Sequence, residues 1–188
     1  MTVQKPRILR KQIVAQSRLF KIEALDLRFS NGVERTYERM QPSKRNAVMI
    51  VPVTSGGDLL LIREYAAGTE HYELGFPKGL IDPGESAADA ANRELKEEIG
   101  YGAGRLLPLK EVVLAPSYFS SRMTILVAEN LYPEKLEGDE PEALQVVKWP
   151  VAQAEELLTH ADFAEARSIV GLMLALRYLK DKEKQYAE

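Results

Sequence analysis

Four glutamates crowd one short stretch of the chain: Glu85, Glu94, Glu97 and Glu98. The last three stand at i, i+3 and i+4, so on a helix their carboxylates share one side. The i+4 partner of Glu94 is Glu98, another acid, and such pairs repel by a few tenths of a kcal/mol in water. A hard divalent cation turns that repulsion into attraction, and an all-oxygen ligand set suits magnesium or manganese. Gly79, Pro83 and Gly84 allow a tight loop that returns Glu85 towards the same helix and brings backbone close to a ligand. Zinc is a poor fit, because the chain has no cysteine and only two histidines, His71 and His160, both read as structural or exposed.

These acids need a helix to hold them. Ser86 followed by Asp89 is a capping-box-like start, and Gly100 is a natural stop. Ala88, Ala91, Leu95 and Ile99 are expected to face a sheet. Ala87 and Ala90 fall on the glutamate side, where their small size is expected to leave room for a bulky ligand.

Around this helix the chain reads as β-rich. Residues 17–41 form two strands about Asn31-Gly32, a strong hairpin signal. Residues 47–53 and 59–65 are apolar strands joined by a Ser-Gly-Gly-Asp turn, and residues 72–75 are short and extended. Strands follow at 110–116, 123–131 and 145–150, with an acidic loop at 132–144. Trp149 is read as core. Helices are expected over 151–159 and from about 163 into the 180s, the latter with Ile169, Val170, Met173, Leu174 and Leu176 inward. The fold class is α+β, a sheet covered by helices.

Composition narrows the partners. Of 188 residues, 45% are hydrophobic and 28% charged, a globular balance. A net charge of −3 offers no excess of cations for a nucleic-acid backbone. No apolar run is long enough to span a bilayer, and the N-terminus does not read as a secretory signal. A soluble protein of the reducing cytoplasm is expected.

The spacing carries more. Gly79, five residues, Glu85, seven residues, Arg93-Glu94-Leu95, one residue, Glu97-Glu98, one residue and Gly100-Tyr101 resembles the signature box of the Nudix hydrolases. Tyr101 departs from the usual aliphatic residue, a change that affects packing. ERMQPSKRNAVMIVPV, LLLIREYAAGTEHYELGFPKGLIDPGE, APSYFSSRM and LYPEKLEGDEPE extend the resemblance to ADP compounds hydrolases of the NudE type over nearly the whole chain. The resemblance implies a Nudix-like mixed sheet flanked by helices over 46–188, with an N-terminal antiparallel β extension over 1–45. It implies hydrolysis of ADP-ribose, diadenosine polyphosphates and NADH to AMP and a second phosphate ester, with two or more magnesium ions, or manganese, per site. The alternatives are a dinucleoside polyphosphate or nucleotide-sugar pyrophosphatase, and an inactive nucleotide sensor, which the four intact glutamates disfavour.

The resemblance also assigns residues. Glu94 and Glu98, then Glu97, are the metal ligands, with Glu85, Glu142 and the carbonyl of Lys78 or Gly79 as further candidates. Arg93 orients the carboxylates. Glu140, on the acidic loop, is the chosen general base, with Glu142 as ligand or substitute base. Phe20 and Tyr37 stack on adenine across a dimer interface, and Glu38 accepts from its amine. Arg39 and Arg63 are candidates for phosphate or ribose contact, and Ser117 is a candidate either for a ribose pocket or for a turn. Ala66 follows Tyr65 where many ADP-ribose pyrophosphatases carry arginine, so strict ADP-ribose preference is not expected. The hairpin's apolar residues alternate onto both faces, which calls for a symmetric partner and hence a homodimer.

Overall fold

The computed structural model describes residues 4–42 and 45–187. The chain divides into two compact units: residues 1–44 with 113–121, and residues 45–112 with 122–188.

The first unit is a three-stranded antiparallel sheet in the order β1-β2-β3. Its strands are β1 (Arg7–Gln16), β2 (Lys21–Arg28) and β3 (Glu34–Met40). The β2–β3 turn falls on Asn31-Gly32 as the sequence suggests, with Gly32 at φ 83°, a conformation costly for any residue with a Cβ. Strand β1 was not legible in the sequence: its basic and polar residues are exposed along their whole length. Pairing with β2 forms it, through a hairpin in which the Ser17 Oγ accepts from the Phe20 N–H at 2.9 Å. Residues 113–121 return to this unit, and the Met40 N–H donates to the Tyr118 carbonyl.

The second unit holds the core. Its elements are β4 (Ala47–Pro52), β5 (Asp58–Ala66), β6 (His71–Gly75), β7 (Lys78–Leu80), α1 (Ala87–Glu98), β8 (Tyr101–Val113), β9 (Arg122–Pro133), β10 (Gln145–Pro150) and α2 (Ala166–Ala187). Two sheets form, β10-β5-β6 and β7-β4-β9-β8. β4 runs parallel to β9 and antiparallel to β7, the mixed arrangement expected. β4 is buried on both faces because helices cover both. Val48 and Ile50 join the cluster around Ala90, Ala91 and Leu95 of α1. Met49 and Val51 alternate to the other face and meet Gly171 of α2.

Several expectations change. β8 begins at Tyr101, nine residues before the run KEVVLAP that announces it. Residues 151–159 form a 3-10 helix, and α2 starts at Ala166. Val170 and Met173 of α2 are exposed, and the buried side is Ser168, Gly171, Leu172 and Ala175. Small residues let this helix lie close against β4, so the apolar stripe does not mark its inner face. In α1, Ala88 is exposed while Ala90 is fully buried and Ala87 packs on the same cluster. The room reserved beside the glutamates is therefore filled by the protein's own core. Trp149 is only partly buried, on the last strand, and its N–H donates to the Gln153 carbonyl.

Candidate active site

Helix α1 starts where its cap places it. The Asp89 N–H donates to the Ser86 Oγ at 3.1 Å, and the Ser86 hydroxyl donates to the Asp89 carboxylate at 2.6 Å. At the other end Gly100 turns the chain at φ 74°. The Leu136 and Glu134 N–H groups then donate to the carbonyls of Lys96 and Gly100. Acceptors left over at the helix end thus hold the start of the acidic loop, residues 134–144, beside the glutamates.

The core pulls two of those glutamates inward. Glu94 and Glu98 are each 8% exposed, on the buried side of α1. Burial raises the Glu98 carboxyl to about 9, with Lys78 opposing and Glu94 reinforcing the shift. Burial also raises the Glu94 carboxyl, against the pull of Arg93. The Lys78 N–H of β7 donates to the Glu98 Oε2 at 3.0 Å. Gly79 follows, and a Cβ there would lie 1.9 Å from the Glu94 Oε1. Only glycine lets that carboxylate lie against the strand.

Arg93 ties the box together. Its guanidinium donates to Glu85, Glu94 and Glu97 at 2.8–3.0 Å and to the Leu80 carbonyl at 2.9 Å. The bond from Arg93 holds the Glu85 carboxyl below its ordinary range. Glu85 also accepts from the Asp82 N–H, which closes the Pro83-Gly84 loop back towards the helix as expected.

Lys78, Gly79, Arg93, Glu94, Glu97 and Glu98 line a cavity of about 660 Å³, while Glu85 lies behind Arg93 and does not. Among its described lining residues eight are Asp or Glu and three are Lys or Arg. An anionic substrate enters such a space only if cations reverse the local sign. Glu140 also lines it, its carboxylate folded back over Gly138. Among the described residues no cluster of three acids is already gathered into a finished metal cage. The donor set still fits a hard cation: two buried carboxylates, a glycine that admits one of them to the backbone, and charge on both opposed by burial.

Other candidates lie elsewhere. Glu142 accepts from the Tyr72 hydroxyl at 2.5 Å and does not line this cavity. Arg63 is paired with Asp162 at 2.7 Å and does not line it either. In the N-terminal unit Phe20 and Tyr37 are 57% and 47% exposed, and Glu38 is exposed beside Tyr37. Arg39 is paired there with Glu23 at 2.8 Å. Ser117 is an exposed turn residue. His71 is exposed and near Asp162, and His160 stacks edge-on to Trp149. Sequence reasoning missed Tyr72, Arg45 and Glu64, whose carboxylate accepts from the Lys78 Nζ at 2.5 Å on the cavity wall. Nothing local marks them: Glu64 reaches the wall from β5, Arg45 from just before β4, and Tyr72 acts from β6 through Glu142.

A mixed sheet between helices, with a Gly-led loop feeding a glutamate-lined helix, defines the class. Residues 43–170 match the NUDIX domain, and the chain belongs to the Nudix hydrolases, a metal-dependent family. Residues 6–39 match the NudE-type Nudix hydrolase N-terminal domain. The chain is 61% identical to the ADP compounds hydrolase NudE of Escherichia coli (strain K12), over 95% of this chain and 96% of that one. It is 26% identical to an ADP-ribose pyrophosphatase of Bacillus subtilis (strain 168), over 96% and 98% respectively. A crystal structure of an ADP compounds hydrolase superposes with a TM-score of 0.94 at 60% identity, covering 97% of this chain and 98% of the other. Among the described residues no helix is long and apolar enough to cross a membrane.

Proposed function

We infer that this chain hydrolyses the pyrophosphate of ADP-linked small molecules, with ADP-ribose, NADH and diadenosine polyphosphates as substrates and AMP as one product. The observation that carries the reading is the pair of buried carboxylates, Glu94 and Glu98, packed against Gly79 and Lys78 at the floor of an acidic cavity. Their spacing is that of the family to which the chain belongs.

Glu94 and Glu98 would hold magnesium, or manganese, with Glu97 and the Lys78 or Gly79 carbonyl completing the set for two or more ions. Such ions, when bound, offset the charge of a pyrophosphate and make water a stronger nucleophile at neutral pH. Arg93 fixes the carboxylates and Glu85 fixes Arg93. Glu140, which lines the same cavity, is the candidate general base that would take a proton from attacking water. Glu142, two residues on in the same loop, accepts from the Tyr72 hydroxyl and is the candidate further ligand or substitute base.

Residues 1–45 form the dimerisation and adenine-binding part in this reading. The N-terminal sheet leaves Ile8, Leu9, Ile13, Val14 and Phe20 exposed, a surface suited to a second copy of the chain. Phe20 and Tyr37, with Glu38, are the candidates for adenine presented by one copy to the other. The working location is the cytoplasm. The test is product analysis on a panel of ADP-ribose, NADH, diadenosine polyphosphates and a nucleotide sugar. AMP released in a magnesium-dependent way from the ADP-linked compounds supports the reading, and release from none of them overturns it. Sedimentation at micromolar concentration tests the dimer, and a pure monomer refutes it.

A further inference from the structure

A second cavity adjoins the acidic one. Its volume is about 230 Å³, and it shares the Glu64–Lys78 ion pair with the first as a common wall. Ile62, Ala66 and Leu74 supply apolar surface to it. Tyr65 stands at its edge with 51% of its surface exposed, braced edge-on by Tyr72 at 5.4 Å. Arg167, at the start of α2, faces it as well. The Arg167 Nε donates to Glu165 at 2.6 Å, while its two Nη atoms meet no partner among the described residues.

We propose that this second cavity is the subsite for the distal nucleoside of an ADP-linked dinucleotide, its base against Tyr65 and its ribose hydroxyls or carbonyl oxygens near Arg167. The inference rests on the hydrolase reading above and deepens it. A pyrophosphate lying over Glu94 and Glu98 is next to Lys78, and the substrate continues past that residue into the second space. The chemistry there is wrong for a bare phosphate. Glu64, Glu73 and Glu165 outnumber Lys78 and Arg167, and much of the wall is hydrocarbon or aromatic. A flat heteroaromatic ring uses the tyrosine face and the apolar surface together. A terminal ribose phosphate leaves both unused. The short side chain of Ala66, beside Tyr65, keeps the space open.

The experiment compares substrates with and without a distal ring. Tyr65→Ala raises the KM for NADH and for a diadenosine polyphosphate about tenfold, with kcat unchanged. The KM for ADP-ribose stays within about twofold, because that substrate has no distal base. Ala66→Leu narrows the same space from a second position and gives the same selectivity without touching the tyrosine pair. Saturation-transfer NMR with reduced nicotinamide mononucleotide on the metal-free protein provides a readout independent of turnover. Ring protons receive magnetisation from the wild type, and Tyr65→Ala abolishes the effect. Equal losses for ADP-ribose and NADH, or no loss for either, overturn the subsite. A wild type that turns over none of the substrates overturns the hydrolase reading instead, and the NMR arm then decides the subsite alone.

Discussion

Replacing Glu98 by glutamine separates the energetic cost of the site from its use. The Glu98 carboxyl is raised from 4.5 to about 9 by burial. The folded, metal-free protein therefore holds this proton more tightly than the unfolded chain does. The associated stability is fully present below the unfolded value and is lost as pH rises towards 9. Each pH unit in that window costs about 1.4 kcal/mol, so the wild type loses up to about 4 kcal/mol between pH 5.5 and 8.5. Outward movement of the side chain lowers that ceiling. Glutamine does not titrate and keeps the size and helix propensity. Urea unfolding in chelator across this range then shows the Glu98→Gln protein overtaking the wild type as pH rises. Saturating magnesium reverses the order, since a ligand that binds only the folded state stabilises it and the variant has lost a carboxylate. Turnover falls by about a hundredfold or more. A stability gap that does not change with pH, or equal stabilisation of both proteins by magnesium, refutes the reasoning.

Gly79→Ala forces the Glu94 carboxylate away from β7, because the new Cβ would lie 1.9 Å from its Oε1. The chain still folds, and the magnesium concentration for half-maximal rate rises about tenfold, as for other losses of ligand positioning; an unchanged magnesium titration refutes this. Glu140→Gln lowers turnover and flattens the acidic limb of the pH–rate profile, the mark of a lost general base. Glu142→Gln raises the magnesium requirement if Glu142 is a ligand, whereas a phenotype shared with Tyr72→Phe assigns it to fixing the loop. If neither glutamate variant changes rate or metal requirement, the loop is a solvated turn.

The box helix was legible because every signal for it is local. Ser86, Asp89 and Gly100 set its ends, and the i, i+3, i+4 spacing set the carboxylate side. Its rotation was legible for Ala91, Leu95 and Ile99, which are buried as expected, but not for the alanines before them. Ala88 was expected inward and Ala90 outward, yet Ala90 is fully buried with Glu94 and Glu98. A helix that must bury a functional acid side turns its polar residues towards the core, which hydrophobic periodicity alone reads wrongly. The same limit applies to α2, where Ser168 and Gly171 are buried and Val170 and Met173 are not. Close approach to β4 decided that face. Strand β1 escaped notice for the converse reason. A two-sided exposed strand has no core face to impose period-two alternation, and only its register with β2 defines it.

The acidic loop shows what spacing cannot give. Glu140 and Glu142 are two residues apart, and an extended segment through Pro141 points such neighbours the same way. In the folded chain they have different surroundings. Residues 134–140 are irregular and the chain bends at 141–142. Glu140 folds over Gly138 into the acidic cavity, while Glu142 is held by the Tyr72 hydroxyl. The loop is fixed at one end by the carbonyls of Lys96 and Gly100 and at the other by a phenol on β6. Both anchors lie far away in sequence. A carboxylate on a segment pinned at both ends keeps its place without a rigid backbone of its own, and breaking either anchor should move Glu140 before it disturbs the fold.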